Sequence, residues 1–331
     1  MMLGHERAVE QFLGAWTGSS LHHAWLLAGP KGVGKALFAR EAATRVLAEA
    51  AGPPVNLPGL QTPEDHPNAR LVAAGSHPDM RWLERLENPK TGNLFRNISV
   101  DQVRSLGELF GSTPFMSPWR AVVIDSVDDL EPSAANALLK MLEEPPANCL
   151  FLLVTHAPGR LLPTVRSRCR RLDFHSLSDD VMTAILEREA PKLSTADRSK
   201  IVAMAAGSAG KALAFAALDL AKLEYAALAI LRQGDPTNGR RSDLALELGR
   251  KGSAERYAAF LDLVPSLIAR EARHLGSAGR ERALDAYARA RELAVLAPRL
   301  SLDPASTVFQ LGSIMASVPA AGFLEGTSRG G

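Results

Sequence analysis

A glycine-rich turn between an apolar run and a helix-like run constrains this chain more than any other feature. Residues 29–36 read Gly-Pro-Lys-Gly-Val-Gly-Lys-Ala. Glycines let backbone N–H groups close around phosphate oxygens at the start of a helix, and here they are Gly29, Gly32 and Gly34. Lys35 would add a positive charge at the outer phosphates, but the Ser or Thr hydroxyl that normally holds Mg²⁺ next to it is replaced by Ala36. The sequence therefore predicts a phosphate cradle that lacks one metal ligand.

An acidic motif follows a later apolar run. Residues 121–125 end in Asp125, which is placed to hold Mg²⁺ through water beside such a cradle. A glutamate that polarises the attacking water would normally come next, but here Ser126 follows, and a serine hydroxyl is a poor base. We expect the turn after the strand to keep Asp128 and Asp129 away from this point. The alternative interpretation is that Asp125 only ends a strand.

Strand-like and helix-like runs alternate over the first half of the chain, which predicts an α/β domain with a mainly parallel sheet. The expected strands are residues 24–27, 121–125, 150–155 and a short one at 172–174. After residue 178 the sequence is rich in alanine and leucine, and residues 234–239 have the composition of a linker. We predict a P-loop domain over 1–175, a small helical lid over 176–235, an all-α domain over 236–325 and a disordered tail at 326–331.

Composition excludes several classes of function. The net charge is +2 over 331 residues, which does not indicate a strongly basic nucleic-acid binder. Charged residues interrupt the N-terminal segment, so no signal peptide is expected, and no apolar run is long enough to cross a bilayer. The expected location is the cytoplasm.

Three further motifs carry a family resemblance. Residues 136–146 read Asn-Ala-Leu-Leu-Lys-Met-Leu-Glu-Glu-Pro-Pro, residues 167–169 read Ser-Arg-Cys, and residues 207–213 read Gly-Ser-Ala-Gly-Lys-Ala-Leu. In this order, after the two motifs above, they resemble the AAA+ clamp-loader subunits of bacterial replicases. The resemblance implies an AAA+ fold, a nucleotide-sensing role (sensor 1) for Thr155, and an arginine finger at Arg168 that acts on ATP held by a neighbouring subunit. It also implies that the last helical block forms a collar that joins the subunits.

Departures from the family pattern fall at the nucleotide site. Where an ATP-hydrolysing subunit carries a second sensor, an arginine, this chain has Gly210. Ala36, Ser126 and Gly210 together remove the Mg²⁺ hydroxyl, the water-polarising acid and the sensor arginine, while Arg168 remains. This combination resembles the delta-prime class, the stator of the DNA polymerase III clamp loader, with no ATPase activity of its own. The alternative is an ATP-hydrolysing motor of the gamma/tau type or another AAA+ ATPase.

Cofactors and partners follow from the same resemblance. The intact cradle leaves weak ATP or ADP binding open. Related subunits often carry a four-cysteine zinc module, but residues 51–77 hold no cysteine and read as a polar surface excursion. His66 and His77 cannot close a tetrahedral site alone, so we interpret them as surface residues and expect no zinc and no required cofactor. The implied partners are gamma/tau motor subunits and a delta subunit in a hetero-oligomeric ring, and through that ring the sliding clamp and primed DNA.

Overall fold

Five parallel strands form one sheet in the computed structural model, which describes residues 2–18, 20–89, 94–218 and 220–319. The strands are β1 (Ala24–Ala28), β2 (Met80–Glu84), β3 (Arg120–Asp125), β4 (Cys149–Thr155) and β5 (Arg170–Asp173). Their order across the sheet is β2-β3-β4-β1-β5, and every neighbouring pair is parallel. The predicted α/β fold with a parallel sheet is confirmed, and so are the four strands expected from the sequence, within a residue or two at their ends.

The central strands are buried on both faces, as the apolar run at β1 requires. Because side chains alternate along a strand, Trp25 and Leu27 join one apolar cluster and Leu26 joins the other. Helices on the two faces complete these clusters, with Phe38 of the second helix on one side and Leu138 of the sixth on the other.

Eight helices surround the sheet or lead out of it in the described part of residues 2–189. They are α1 (Glu6–Thr17), α2 (Lys35–Ala51), α3 (Pro67–Ala73), α4 (Val100–Arg104), α5 (Leu106–Gly111), α6 (Pro132–Glu143), α7 (Pro163–Arg166) and α8 (Asp179–Glu189). Proline stands in the first turn of α3, α6 and α7, where a missing N–H costs no helical hydrogen bond. None of the helices in the described residues is both long and apolar enough to span a membrane.

The chain divides into two units by its contacts. One comprises Met1–Ile185 with Ala205–Gly210, and the other comprises Leu186–Met204 with Lys211–Gly331. The predicted division into three domains stays a prediction, and the predicted disordered tail lies outside the described residues.

After α8, helices are the regular secondary structure in the residues that the structure describes. Its helices are α9 (Thr195–Ala205), α10 (Ala209–Ala217), α11 (Leu220–Gln233), α12 (Gly239–Leu248), α13 (Ala254–Ala272), α14 (Ser277–Arg299) and α15 (Pro304–Ala316). Residues 234–239 form a hydrogen-bonded turn between α11 and α12 rather than an open linker. The buried Asp235 carboxylate accepts the backbone N–H groups of Arg240 and Arg241 and pairs with the Arg241 guanidinium at 3.2 Å.

Residues 51–77 lie mostly at the surface, as predicted, but hydrogen bonds tie the segment to α2. The Arg45 guanidinium of α2 donates to the carbonyl oxygens of Val55, Leu57 and Gln61, and α3 lies within the segment. Val55 and Leu60 are buried. The absence of cysteines therefore leaves an ordered segment that is held by hydrogen bonds to a helix already packed on the sheet.

The interpretation of His66 and His77 as surface residues is wrong. Their exposed fractions are 5% and 3%, and both act as hydrogen-bonding groups in the interior. Asn68 accepts from His77 Nε2 at 3.0 Å and donates to the carbonyl of Leu47 at 3.1 Å. The His77 ring accepts from the backbone N–H of Asp79, which leads straight into β2. Burial lowers the pKa of His77 and outweighs the opposite effect of Asp79, which favours the neutral ring that this pattern needs.

Candidate functional site

The glycine-rich turn has the backbone shape of a phosphate cradle. It leaves β1 at Gly29, whose N–H donates to the Thr155 carbonyl at 3.3 Å, and it enters α2 at Lys35. Gly32 and Gly34 have φ angles of 79° and 110°, which side-chain-bearing residues rarely adopt. The N–H groups of residues 31–34 have no acceptor within the part of the chain that the structure describes. Donors left free in this way at a helix start are what an anionic phosphate requires.

The carbonyl groups of the same turn, in contrast, are all satisfied. Five successive carbonyls, from residue 29 to residue 33, each accept a hydrogen bond from the chain itself. The donors are Lys35 Nζ to Gly29 and Pro30, Ser208 Oγ to Lys31, the Gly210 N–H to Gly32, and His5 Nε2 to Val33. The turn is therefore held in shape from three separate segments of the sequence without any ligand.

Lys35 lies inside this turn, with 3% of its surface exposed. Its ammonium group donates to the Gly29 carbonyl at 2.7 Å and to that of Pro30. Burial lowers its pKa to about 8, although the charges of Asp125 and Asp128 act in the opposite direction. The lysine is thus still cationic at neutral pH, but only by a small margin.

Asp125 ends β3 at the same end of the sheet, as predicted. It lies opposite Val154 of β4, one residue before Thr155, and Thr155 lies opposite Ala28 of β1. Burial and the nearby Glu84 raise the pKa of Asp125, while Lys35 lowers it. Ser126 is buried and its hydroxyl donates to Asp129 at 3.4 Å, so no acid stands at the position of the water-polarising glutamate.

Asp128 corrects a second prediction, because the turn after β3 does bring it back to the site. Residues 127–129 form a single 3₁₀ turn, and the Asp128 carboxylate accepts from Thr155 Oγ1 at 2.9 Å and from the His156 N–H at 2.6 Å. Its charge reaches Lys35. We named this residue from the sequence but misplaced it, because we expected the turn after the strand to lead away, whereas the turn folds back toward Thr155.

Gly210 lies against the phosphate cradle, at the place that the sensor-2 resemblance implies. Its N–H donates to the Gly32 carbonyl at 2.8 Å. A Cβ atom added at Gly210 would lie 3.2 Å from Gly32 Cα, and one added at Gly32 would lie 2.3 Å from Ser208 Oγ. The two segments approach closely because both residues lack a side chain. Gly210 therefore lies at the same cradle that Ala36 adjoins at the start of α2.

Arg168 is not brought to this site. It precedes β5, where Arg170 lies opposite Trp25 near the start of β1, so it belongs to the end of the sheet where strands begin. Its guanidinium pairs with Glu143 at 2.8 Å and donates to the Thr164 carbonyl at 2.9 Å, with 34% of the side chain exposed. The structure thus separates Arg168 from Lys35, Asp125 and Thr155 by the length of the strands.

Comparison with known proteins identifies the family. A family model described as DNA polymerase III, delta subunit, matches residues 4–178, which is more than half of the chain. A DNA polymerase III subunit delta' from Pseudomonas aeruginosa is 39% identical over 150 residues, covering 44% of this chain and 41% of that protein. The chain belongs to the delta-prime family of clamp-loader subunits.

Two further relatives match this chain at lower sequence identity. The Escherichia coli delta' subunit is 35% identical over 46% of each protein, and the Bacillus subtilis tau subunit is 28% identical over 66% of this chain and 37% of tau. The match thus spans less than half of the length of these curated relatives. A solved gamma-subunit-related protein from Thermotoga maritima covers 95% of this chain and 98% of its own, at 18% identity and a TM-score of 0.45, which is too low to carry an argument.

The delta-prime match includes the cradle, Asp125 and Arg168, and it ends before Gly210. Within the described residues, no group of three or more His, Cys, Asp or Glu side chains is placed to hold a metal ion. The free N–H groups of the cradle fit a phosphate. A magnesium ion fits less well, because the methyl group of Ala36 stands where its hydroxyl ligand would be and Asp125 is the one acid that remains from the motif.

Proposed function

We propose that this chain is the non-hydrolysing stator of a DNA polymerase III clamp loader. In this role it binds gamma/tau motor subunits and a delta subunit in a hetero-oligomeric ring in the cytoplasm, and the ring loads a sliding clamp onto primed DNA. The observation that carries the proposal is the convergence of Ala36, Ser126 and Gly210 on one cradle. Loss of three separate catalytic groups at a single site is hard to reconcile with turnover.

Nucleotide binding is a distinct part of the proposal. The open N–H groups of the cradle and the cationic Lys35 support weak binding of ADP or ATP. Bound nucleotide would place its outer phosphates at Lys35, next to Asp125 and Thr155. With no hydroxyl at residue 36, Mg²⁺ should add little to the affinity. We propose no required cofactor and no zinc.

We assign Arg168 a role in ATP hydrolysis by the neighbouring subunit. A guanidinium inserted beside a γ-phosphate stabilises the charge that develops during phosphoryl transfer. Arg168 lies at the opposite end of the sheet from its own cradle, which supports action on ATP held by a neighbour rather than by its own chain. Within this chain the guanidinium pairs with the Glu143 carboxylate at 2.8 Å, and in the proposed role it would exchange this partner for the neighbour's phosphate.

Association with the other subunits is assigned to the last helical block. On α14, Leu284 is 60% exposed and Val295 is 46% exposed, and Leu300 just beyond it is 63% exposed. An apolar row of this kind on a helix supports burial against a homologous subunit. Leu284→Glu together with Val295→Glu should leave the chain folded, as judged by circular dichroism, and should prevent co-purification with the motor subunits.

The central test is ATP turnover by the purified full-length chain, alone and then mixed with gamma/tau and delta subunits. We expect no turnover above background from the chain alone, and DNA- and clamp-stimulated turnover from the complete mixture. Turnover by the isolated chain at the rate of a typical motor would contradict the stator and favour the alternative, an ATP-hydrolysing gamma/tau-like subunit or another AAA+ ATPase.

A further inference from the structure

The hydroxyl group of Thr155 can donate one hydrogen bond, and the Asp128 carboxylate accepts it. Thr155 Oγ1 donates to Asp128 Oδ1 at 2.9 Å and accepts from the Ala157 N–H at 3.2 Å. The threonine is fully buried, so its rotamer is fixed by its surroundings. A sensor that recognises a third phosphate must donate a hydrogen bond to it. In this chain that donor is already used.

The Asp128 carboxylate stands beside the outer end of the cradle. The hydroxyl of Thr155 holds this carboxylate, and the backbone carbonyl of Thr155 accepts from the Gly29 N–H at 3.3 Å. The Gly29 carbonyl in turn accepts from Lys35 Nζ at 2.7 Å. Two hydrogen bonds anchor the carboxylate, one to each oxygen, yet the residue is exposed and so faces open space. A fixed negative charge therefore lies close to the lysine that meets the outermost phosphates.

The charges of Lys31 and Lys35 reach this end of the sheet, but two further groups that could offset the carboxylate are missing. Residue 36 has no hydroxyl to hold a metal ion, and residue 210 has no arginine. A diphosphate ends near Lys35, whereas a triphosphate carries further negative charge toward the carboxylate. Like charges about 6 Å apart, partly screened by water, cost roughly a factor of five in affinity.

We propose that Asp128 makes this cradle select a nucleoside diphosphate over the corresponding triphosphate. The inference rests on the proposed function, because it takes the cradle as a nucleotide site without turnover. Asp128 acts here in two ways: its negative charge repels the third phosphate, and it accepts the one hydrogen bond that the Thr155 hydroxyl can donate.

Calorimetry on the full-length chain tests the proposal, with ADP and a non-hydrolysable ATP analogue as the probes, without Mg²⁺. The wild-type chain should bind ADP about fivefold more tightly than the analogue. Asp128→Asn, which keeps the shape and removes the charge, should bring the two dissociation constants to within twofold, mainly by tightening the binding of the analogue. Asp128→Ser provides a second neutral variant, and thermal melting checks that both variants are folded.

Asp129→Asn is the matched control. It makes the same charge change one residue away. The charge of Asp129 also reaches Asp125, but Asp129 pairs with Arg85 at 3.4 Å and does not hold Thr155, so the ratio of the two dissociation constants should change by less than in the Asp128 variants. Raising the salt concentration should shrink the wild-type preference.

Equal binding of both nucleotides by the wild type, an unchanged ratio in two folded Asp128 variants, or no binding of either nucleotide would each overturn the proposal. These outcomes leave the stator assignment intact, because that assignment is decided by ATP turnover.

Discussion

The two ends of the central sheet differ in what they retain. At the end where the strands finish, the cradle has its glycines and Lys35, but Ala36 and Ser126 stand where a hydroxyl and an acid are expected in a hydrolysing site. At the end where the strands begin, Arg168 remains in place, a third exposed, and is held by Glu143. Both ends belong to the same rigid body of five parallel strands.

The difference shows that a sheet of this kind can separate two roles. Strands of five residues place their ends about 15 Å apart, so changes at one end need not disturb the other. In the proposed function, the subunit has lost the chemistry of its own site and keeps the group that it offers to a neighbour. Four changes test this separation, and they follow from the largest expected effect to the smallest.

Arg168→Ala should have the largest effect, because it removes the finger from a neighbour's site. Turnover at that one site should fall by about 10³, and the total ATPase of the assembled ring should fall several-fold. Arg168→Lys should fail nearly as badly, because a lysine lacks the planar fork of donors. The measurement is DNA- and clamp-stimulated ATPase of the purified complex.

Arg166→Ala is the control for that change, since Arg166 is exposed on α7, two residues away. Its complex should keep wild-type turnover. If a ring assembled with Arg168→Ala kept its ATPase activity and clamp loading unchanged, Arg168 would not act on ATP in the neighbouring subunit.

Asp79→Asn should weaken the beginning of the sheet itself. The buried Asp79 carboxylate accepts the backbone N–H groups of Phe115, Met116 and Ser117 at 2.7–2.9 Å, just before β3. Burial raises its pKa, but these bonds and His77 lower it by more, so the net pKa is below its ordinary value. We expect the free energy of unfolding, measured in urea, to fall by about 3 kcal/mol.

The pH dependence of the same contact has a definite sign. Because the folded state depresses the pKa of Asp79, its contribution is complete above the unfolded-state value near 4 and is lost as the pH falls below it. The exposed Asp101→Asn serves as the control and should change the unfolding free energy by less than about 0.5 kcal/mol. A stable Asp79→Asn protein would show that the turn at Phe115 is held by other contacts.

Lys35 gives the other end of the sheet a pH dependence. Its pKa of about 8 means that the ammonium is lost as the pH rises above 8, so ADP binding should weaken by up to about tenfold per pH unit. Folding stability should move the other way. Between pH 8 and about 10 the unfolded chain holds the proton and the folded chain does not, so the unfolding free energy rises with pH.

Calorimetry and urea denaturation at pH 7.5, 8.5 and 9.5 measure the two trends on one protein. Lys35→Met should remove both trends. Constant ADP affinity across this range would mean that the lysine does not contact phosphate.

Ala36→Ser should have the smallest effect, namely no detectable ATP turnover. It restores the hydroxyl, but Ser126 and Gly210 still leave the site without its acid and its arginine. The measurement is phosphate release by the isolated chain. If this single change gave turnover at the rate of a motor subunit, Ser126 and Gly210 would not prevent hydrolysis at the cradle.

The sequence predicted the parts of the fold that depend on local pattern. Strands β1, β3 and β4 were found because they are apolar runs buried on both faces. Strand β2 was missed because it lies at the edge of the sheet and reads Met-Arg-Trp-Leu-Glu, with an exposed glutamate and no apolar run. A strand that is half exposed and carries charges gives little signal in its own sequence.

The parts that were missed depend on contacts distant in sequence. His66 and His77 were predicted to be surface residues because Asn68, which forms hydrogen bonds to both of them, belongs to no motif. Asp128 was placed away from the site because its anchor, Thr155, lies 27 residues further along the chain. Hydrogen bonds between polar residues in different segments have no periodicity, so a single sequence does not reveal them.

The five hydrogen-bonded carbonyls of the cradle have a consequence for how the subunit behaves in the cell. A loop that His5, Ser208 and Gly210 already hold in shape has no need of a nucleotide to become ordered. Folding of this subunit, and the presentation of Arg168, should then not require a bound nucleotide. In the proposed clamp loader, the motors would stall when the energy supply falls, while this subunit would stay folded.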